Sequence, residues 1–235
     1  MALPKIDQPL FEIIIPSTNK KAKFRPFTVK EEKILLIAQE SKEMDQIILS
    51  IKQVLGNCLV DVDVETLAVF DLEFIILNIR GKSVNNEIKF GFKDEETEER
   101  IDVEVDVNDI KVHFDPEHDK KIELNEQYYV MMRYPTLSEV QSMQGSDSNS
   151  TDKMFNTMIS CIESLVDVTS DEVYKLDDFT KEEVSDFVDG FTSNAIEGIQ
   201  KFYATMPKLS HTIEYKDKLG NDKTFVVEGM DSFFT

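Results

Sequence analysis

The sequence has no tryptophan, two cysteines, three histidines and eight glycines in 235 residues. Each shortage closes off a class of protein. Cys58 and Cys161 lie far apart and outside any CxxC or Cys/His spacing. They suit neither a disulfide framework nor a zinc site, and two packed thiols in a reducing cytoplasm are expected. None of the histidines stands near a GxSxG elbow or a cysteine motif, so nucleophilic catalysis has little to stand on. Scarce glycine leaves few loops whose backbone could close around a ligand. Positive charge is also short: 26 Lys and Arg face 46 Asp and Glu, for a formal net charge of −20. Such a chain does not neutralise phosphate, which argues against a general nucleic-acid binder and against an anionic membrane surface. No apolar run approaches the ~20 residues of a membrane span. The nearest, Leu67 to Ile79, is broken by Asp71 and Glu73. Pro4, Asp7, Pro9 and Glu12 interrupt the N-terminus, so no signal peptide is expected there.

What the chain does have is patterned apolar content. Apolar residues make up 41% and charged residues 31%, which supports a packed core and argues against global disorder. Phe11 to Ile15 and Ala22 to Arg25 flank the turn-rich Pro16-Ser17-Thr18-Asn19-Lys20, the pattern of a β-hairpin. The stretch Lys23 to Lys33 then runs from strand into helix. Thr28 followed by Glu31 forms a capping box, each side chain accepting from the other residue's backbone N–H, and Ile34, Leu35, Leu36 and Ile37 follow at once. Further helices are expected from Met44 to a stop at Gly56-Asn57, and from Asp63 or Glu65 to Gly81. At Ser83 the period changes to two. Ile88, Phe90 and Phe92, then Ile101, Val103, Val105 and Val107, alternate with polar residues, and Val112 to Phe114 and Ile122 to Leu124 continue the pattern.

Helices are expected again over Thr136 to Met143, Met154 to Leu165, Ser170 to Leu176, a stretch opened by a second capping box at Thr180 and Glu183, and Ser193 to Tyr203. Thr212 to Lys216 and Lys223 to Val227 pair as a last hairpin, followed by a tail with Phe233 and Phe234. The expected fold class is α+β, a mainly helical body with N-terminal and C-terminal β-hairpins and an inserted β-meander. The expected divisions are 1–27 (arm and hairpin), 28–83 (helical block), 84–128 (acidic meander), 129–209 (second helical block with a flexible linker at 145–151) and 210–235 (hairpin and aromatic tail). No internal repeat stands out.

Candidate chemistry is thin. Arg80-Gly81-Lys82-Ser83 looks like the end of a phosphate-binding loop, but Ile76 stands where the first glycine belongs, and a helix runs in where a strand should. A helix end is the better reading. His113, Asp115, Glu117, His118 and Asp119 form the one cluster of metal-ligand types. Its spacing is not helical and Pro116 breaks it, so a solvated loop is expected and no metal or cofactor. Recognition features are better supported. Phe24, Pro26 and Phe27 stand beside Lys21, Lys23 and Arg25 at the hairpin-to-helix junction. They either staple the hairpin to the helix or make a partner contact with a basic rim. Phe233 and Phe234 are either tucked into the chain or held by a neighbour. The acidic face of the meander, with the loop Asp94 to Glu99 at a hairpin tip, is either solvated or suited to a basic partner.

The string Lys23 to Gln39, with Ile51 to Cys58 and Glu228 to Phe234, resembles a family of baseplate hub and hub-assembly proteins from T-even-like contractile-tailed phages. The likeness runs through the N-terminal hairpin, the helical block, the inserted β segment and the aromatic tail. It implies a non-enzymatic tail protein that binds other hub proteins during baseplate assembly in the host cytoplasm, without cofactor, nucleic acid, membrane or small-molecule substrate. Phe24, Arg25, Pro26, Phe27, Phe233 and Phe234 are the expected partner-binding residues. Two rivals come from the residues alone: an acidic inhibitor or DNA mimic using the meander, and a metal-dependent hydrolase built on His113 and His118.

Overall fold

The computed structural model describes residues 6–41, 43–144 and 159–229. The chain divides into two compact units, Met1–His113 with Lys208–Thr235, and Phe114–Pro207. A mainly helical body is not what it builds. Among the described residues, six α-helices accompany twelve strands in four small antiparallel sheets.

In the first unit, β1 (Phe11–Ile15) and β2 (Lys20–Phe24) form a hairpin with Ile13 opposite Ala22. Helices α1 (Val29–Ser41) and α2 (Met44–Cys58) follow, and the chain returns as β3 (Leu59–Val60) beside β2. A 3-10 turn at Val64–Thr66 leads into α3 (Val69–Ser83). Rich in apolar residues, α3 has Leu72, Ile75, Ile76, Leu77 and Ile79 wholly buried, and Asp71 and Glu73 buried among them. One cover is a second layer of strands. β4 (Glu87–Lys93) pairs with β5 (Arg100–Asp106), while β6 (Lys111–His113), β11 (Lys208–Lys216) and β12 (Asp222–Glu228) form a three-stranded sheet. Leu77 joins Ile88, Phe90, Val105, Leu209 and Ile213 in one core cluster.

The second unit opens with β7 (Lys121–Glu123) and β8 (Tyr128–Met132), followed by α4 (Leu137–Gln144). After Cys161, β9 (Ile162–Asp167) and β10 (Glu172–Lys175) complete a sheet of order β10-β9-β8-β7. A 3-10 turn at Leu176–Asp178 leads into α5 (Lys181–Asp189) and then α6 (Ser193–Ala204). Ile122, Val130, Met132, Ile199 and Phe202 are the centre of this core. Gly198 lets α6 settle on β7, since a Cβ there would fall 2.8 Å from an Ile122 methyl.

Three sequence expectations fail here. The stretch expected as one β-meander is shared among three sheets: β4 and β5 form a hairpin, β6 joins β11, and β7 joins β8. Ile162–Asp167 and Glu172–Lys175 are strands rather than helix. Short runs such as Ile-Glu-Ser-Leu-Val-Asp fit either period, and pairing with β8 decides for strand. Gly81 does not end α3, which continues to Ser83. Its lack of a side chain instead admits Val107, whose methyl lies 3.3 Å from where a Cβ would stand. The expected linker at 145–151 and tail residues Phe233 and Phe234 lie outside the described residues.

Candidate functional site

The hairpin-to-helix junction is held by a clamp. Arg25 sends its guanidinium to both oxygens of Glu31, at 3.0 and 3.5 Å, and also donates to the Pro26 carbonyl at 2.9 Å. Glu31 accepts from the Thr28 N–H at 2.8 Å and from the Thr28 hydroxyl. The hydroxyl expected to accept from the helix thus donates to the carboxylate instead. Glu31 is only 4% exposed. Burial works to raise its carboxyl, but hydrogen bonds from Arg25 and Thr28 outweigh that and hold it down at about 2. The Arg25 N–H donates to the Cys58 carbonyl at 2.9 Å, closing β2 onto the end of α2. Burial pushes the Cys58 thiol up to about 11, with Arg25 pulling the other way, so it stays a protonated, unreactive group.

Of the expected partner-binding residues, Phe24, Arg25, Pro26 and Phe27 lie at this junction and are buried or half-buried. Phe24 is 2% exposed and packs on Phe11 with ring centroids 5.7 Å apart. Pro26 is buried. Phe27 is half-buried, and its N–H donates to the Ser83 hydroxyl at 2.9 Å. The guanidinium of Arg25 is spent on Glu31.

The same clamp recurs in the second unit. Arg133 donates to both oxygens of Glu139 at 2.9 and 2.6 Å, and to the Tyr134 carbonyl at 3.5 Å. Glu139 accepts from the Thr136 N–H and hydroxyl at 2.8 and 3.0 Å. The Arg133 N–H donates to the Cys161 carbonyl at 2.8 Å. Burial outweighs the other influences on the Cys161 thiol and raises it, as for Cys58. The strands match too. Ile122 stands opposite Val130 as Ile13 stands opposite Ala22, and Met132 pairs with Ile162 as Phe24 pairs with Leu59. The correspondence continues through the 3-10 turns. Leu67 and Phe179 close the turns, and Asp71 and Glu183 each take the N–H of the residue that opens the next helix, Ala68 and Thr180. The chain therefore builds one module twice: hairpin, clamp, helix, cysteine, third strand, 3-10 turn, helix. Sequence reading missed this although the signal was present. Arg25-Pro26-Phe27-Thr28-Val29-Lys30-Glu31 and Arg133-Tyr134-Pro135-Thr136-Leu137-Ser138-Glu139 share Arg, Thr and Glu at one spacing, with proline and an aromatic between Arg and Thr.

The acidic loop is partly neutralised from within its own unit. Asp94, 2% exposed, accepts from the Tyr215 hydroxyl at 2.7 Å and from Lys223 at 3.0 Å. Lys223 also reaches Glu96 at 3.0 Å, and Lys218 reaches Glu99 at 3.2 Å. Glu95 and Glu98 are exposed. Of the two histidines named for a metal, His113 lies on β6 opposite Lys208. His118 stacks on Tyr134 and has a ring nitrogen 2.9 Å from the Thr205 hydroxyl. Burial, and then Lys120, lower its pKa. Among the described residues no group of three or more His, Cys, Asp or Glu is placed to hold a metal ion, and no helix is long and apolar enough to cross a membrane.

A family described as T4 bacteriophage base plate protein matches residues 8–235. The match takes in both modules and the strands added to the first, and the chain belongs to this family. No curated protein and no solved structure matches it.

Proposed function

We propose that this chain is a non-enzymatic subunit or assembly factor of the phage baseplate hub, working through contacts with other baseplate proteins. The family match over residues 8–235 is the observation that carries the reading. The geometry agrees with it, since the best-placed polar side chains are spent on internal clamps. Apolar side chains are presented outward on the first helical pair, with Leu36, Ile37 and Leu49 each more than half exposed. In this reading Phe24, Arg25, Pro26 and Phe27 seat α1 and its exposed face, while Phe233 and Phe234 touch the partner directly. The protein acts in the host cytoplasm during assembly and uses no cofactor. A pull-down of the tagged chain from infected cells, with mass spectrometry of purified virions alongside, tests it. Baseplate hub proteins should co-purify. Recovery without any tail protein would refute the reading, and alanine at both Phe233 and Phe234 should weaken recovery without altering the melting temperature.

A further inference from the structure

The two modules differ in how they are closed. In the first, Val64, Leu67, Leu72 and Ile75 are all buried, and Asp71 accepts the backbone N–H of Ser17 at 2.8 Å from the β1–β2 loop. In the second, Leu176, Val184 and Phe187, at the places of Val64, Leu72 and Ile75, are only half-buried, and Phe179, at the place of Leu67, is 44% exposed. The β7–β8 loop turns elsewhere: the Gln127 side-chain amide donates to Asp167, and the Gln127 backbone carbonyl accepts from the Val168 N–H. What remains is a groove of about 440 Å³ walled by Tyr128, Leu165, Tyr174, Leu176, Phe179 and Phe187, with Glu183 in its lining. Thr180 binds the Oε2 oxygen of the exposed Glu183 at 2.8 Å, and the other oxygen makes no hydrogen bond to a described residue.

We propose that this groove docks an extended segment of a partner protein that carries alternating basic and apolar side chains. The first module shows what closing the face requires: a backbone N–H for the carboxylate and apolar cover for the helix. The rim supplies the sign of the charge. Between Asp171 and Asp189 the sequence has eight carboxylates against Lys175 and Lys181, so a basic segment is complementary and an acidic one repelled. Beside the groove, β10 is an edge strand exposed along its whole length, with Val173 59% exposed, so a segment lying there has backbone groups to pair with. Aromatic anchors in an apolar pocket inside a polar rim are the composition that concentrates binding energy. The inference rests on the reading of the chain as an assembly protein and adds the place and chemistry of one contact.

A labelled synthetic peptide alternating Lys with Leu and Phe, titrated against the full chain by fluorescence polarisation, is the first probe. Phe179→Glu and Tyr174→Glu should each weaken binding at least tenfold, Glu183→Gln should weaken it severalfold, and a Glu-for-Lys peptide should not bind. A Glu95→Gln, Glu98→Gln chain, altered only on the first unit's loop, should bind the basic peptide as the parent does. Equal loss in that chain, or no loss in the groove variants, overturns the proposal. The second probe is a photo-crosslinking residue at position 174 in infected cells. A crosslink mapped to a basic, apolar segment of another baseplate protein supports the docking site. A crosslink to a second copy, to residues 145–158 or 230–235 of the same chain, or to nothing overturns it. A failed groove test leaves the pull-down result standing, so the two readings fail separately.

Discussion

The first and second units carry the same skeleton under different loads. In the first, α3 is wrapped by strands added on the side away from its own module, and it buries residues along most of its length, Asp71 and Glu73 among them. At the places of Phe74 and Leu77, α5 carries Asp186 and Asp189, so one face of it meets water and the other faces the module. The clamps follow the same gradient. The side chains of Arg25 and Glu31 are 25% and 5% exposed, against 35% and 23% for Arg133 and Glu139. A shared skeleton thus has one copy built into a larger core and another whose matching face is only half-buried among the described residues, which is where we place a partner. Removing one partner of such a pair costs more where water is excluded, because the group left behind is buried and unpaired.

The largest expected effect comes from breaking the buried clamp. Glu31→Ala strands the Arg25 guanidinium and the Thr28 N–H, at a cost of about 3–4 kcal/mol. Glu139→Ala, in the wetter copy, should cost about 1–2 kcal/mol. Chemical denaturation of both variants measures the difference, and equal losses would end the contrast. Next come the helix cores. Leu72→Ala, at a wholly buried site, should cost about 3 kcal/mol. Val184→Ala at the matching half-buried place should cost about 1 kcal/mol. Melting curves that put Val184→Ala level with Leu72→Ala would mean the second face is closed after all.

Acid should act with a defined sign. The Glu31 carboxyl is held at about 2, below its ordinary 4.5, so the folded state binds that proton less readily than the unfolded chain. Its stabilisation is therefore full above pH 4.5 and is lost as the pH falls toward 2. The loss amounts to about 3 kcal/mol. Glu139 is also lowered, despite burial acting to raise it, so its contribution moves the same way. Stability measured across this range should flatten in Glu31→Gln, and an unchanged slope would show that other carboxylates dominate. The smallest expected effect is at the acidic loop. Glu95→Gln with Glu98→Gln removes exposed charges and should change stability by less than about 0.5 kcal/mol. A large change would mean that the loop is engaged more tightly than its exposure implies.

The fold was legible where a local signal stood alone. Thr180 and Glu183 form the full capping box read from four residues of sequence, and both terminal hairpins follow from turn residues between apolar runs. It was illegible where partners lie far along the chain. The sheet of the second unit depends on Tyr128–Met132 meeting Ile162–Asp167, and no local period announces that pairing. The junction at Phe24 to Phe27 was visible as a junction, yet its aromatics and arginine read equally as staple or contact. Only the return of Cys58 to Arg25 shows that the arginine is enclosed. The repeat escaped because so few of its positions are identical. Its conserved features are a clamp and a set of strand registers, not a run of residues.

Hydrogen–deuterium exchange of the free protein tests the central comparison most directly. Residues 64–76 and 176–188 are matching stretches of the two modules, read in one experiment at one pH. Strong, lasting protection is expected over 64–76, with exchange at least tenfold faster over 176–188, and slow exchange at both the Arg25 and Arg133 amides that bind the cysteine carbonyls. Equal protection of the two stretches would contradict an open second module, and rapid exchange at Arg133 would contradict the shared clamp.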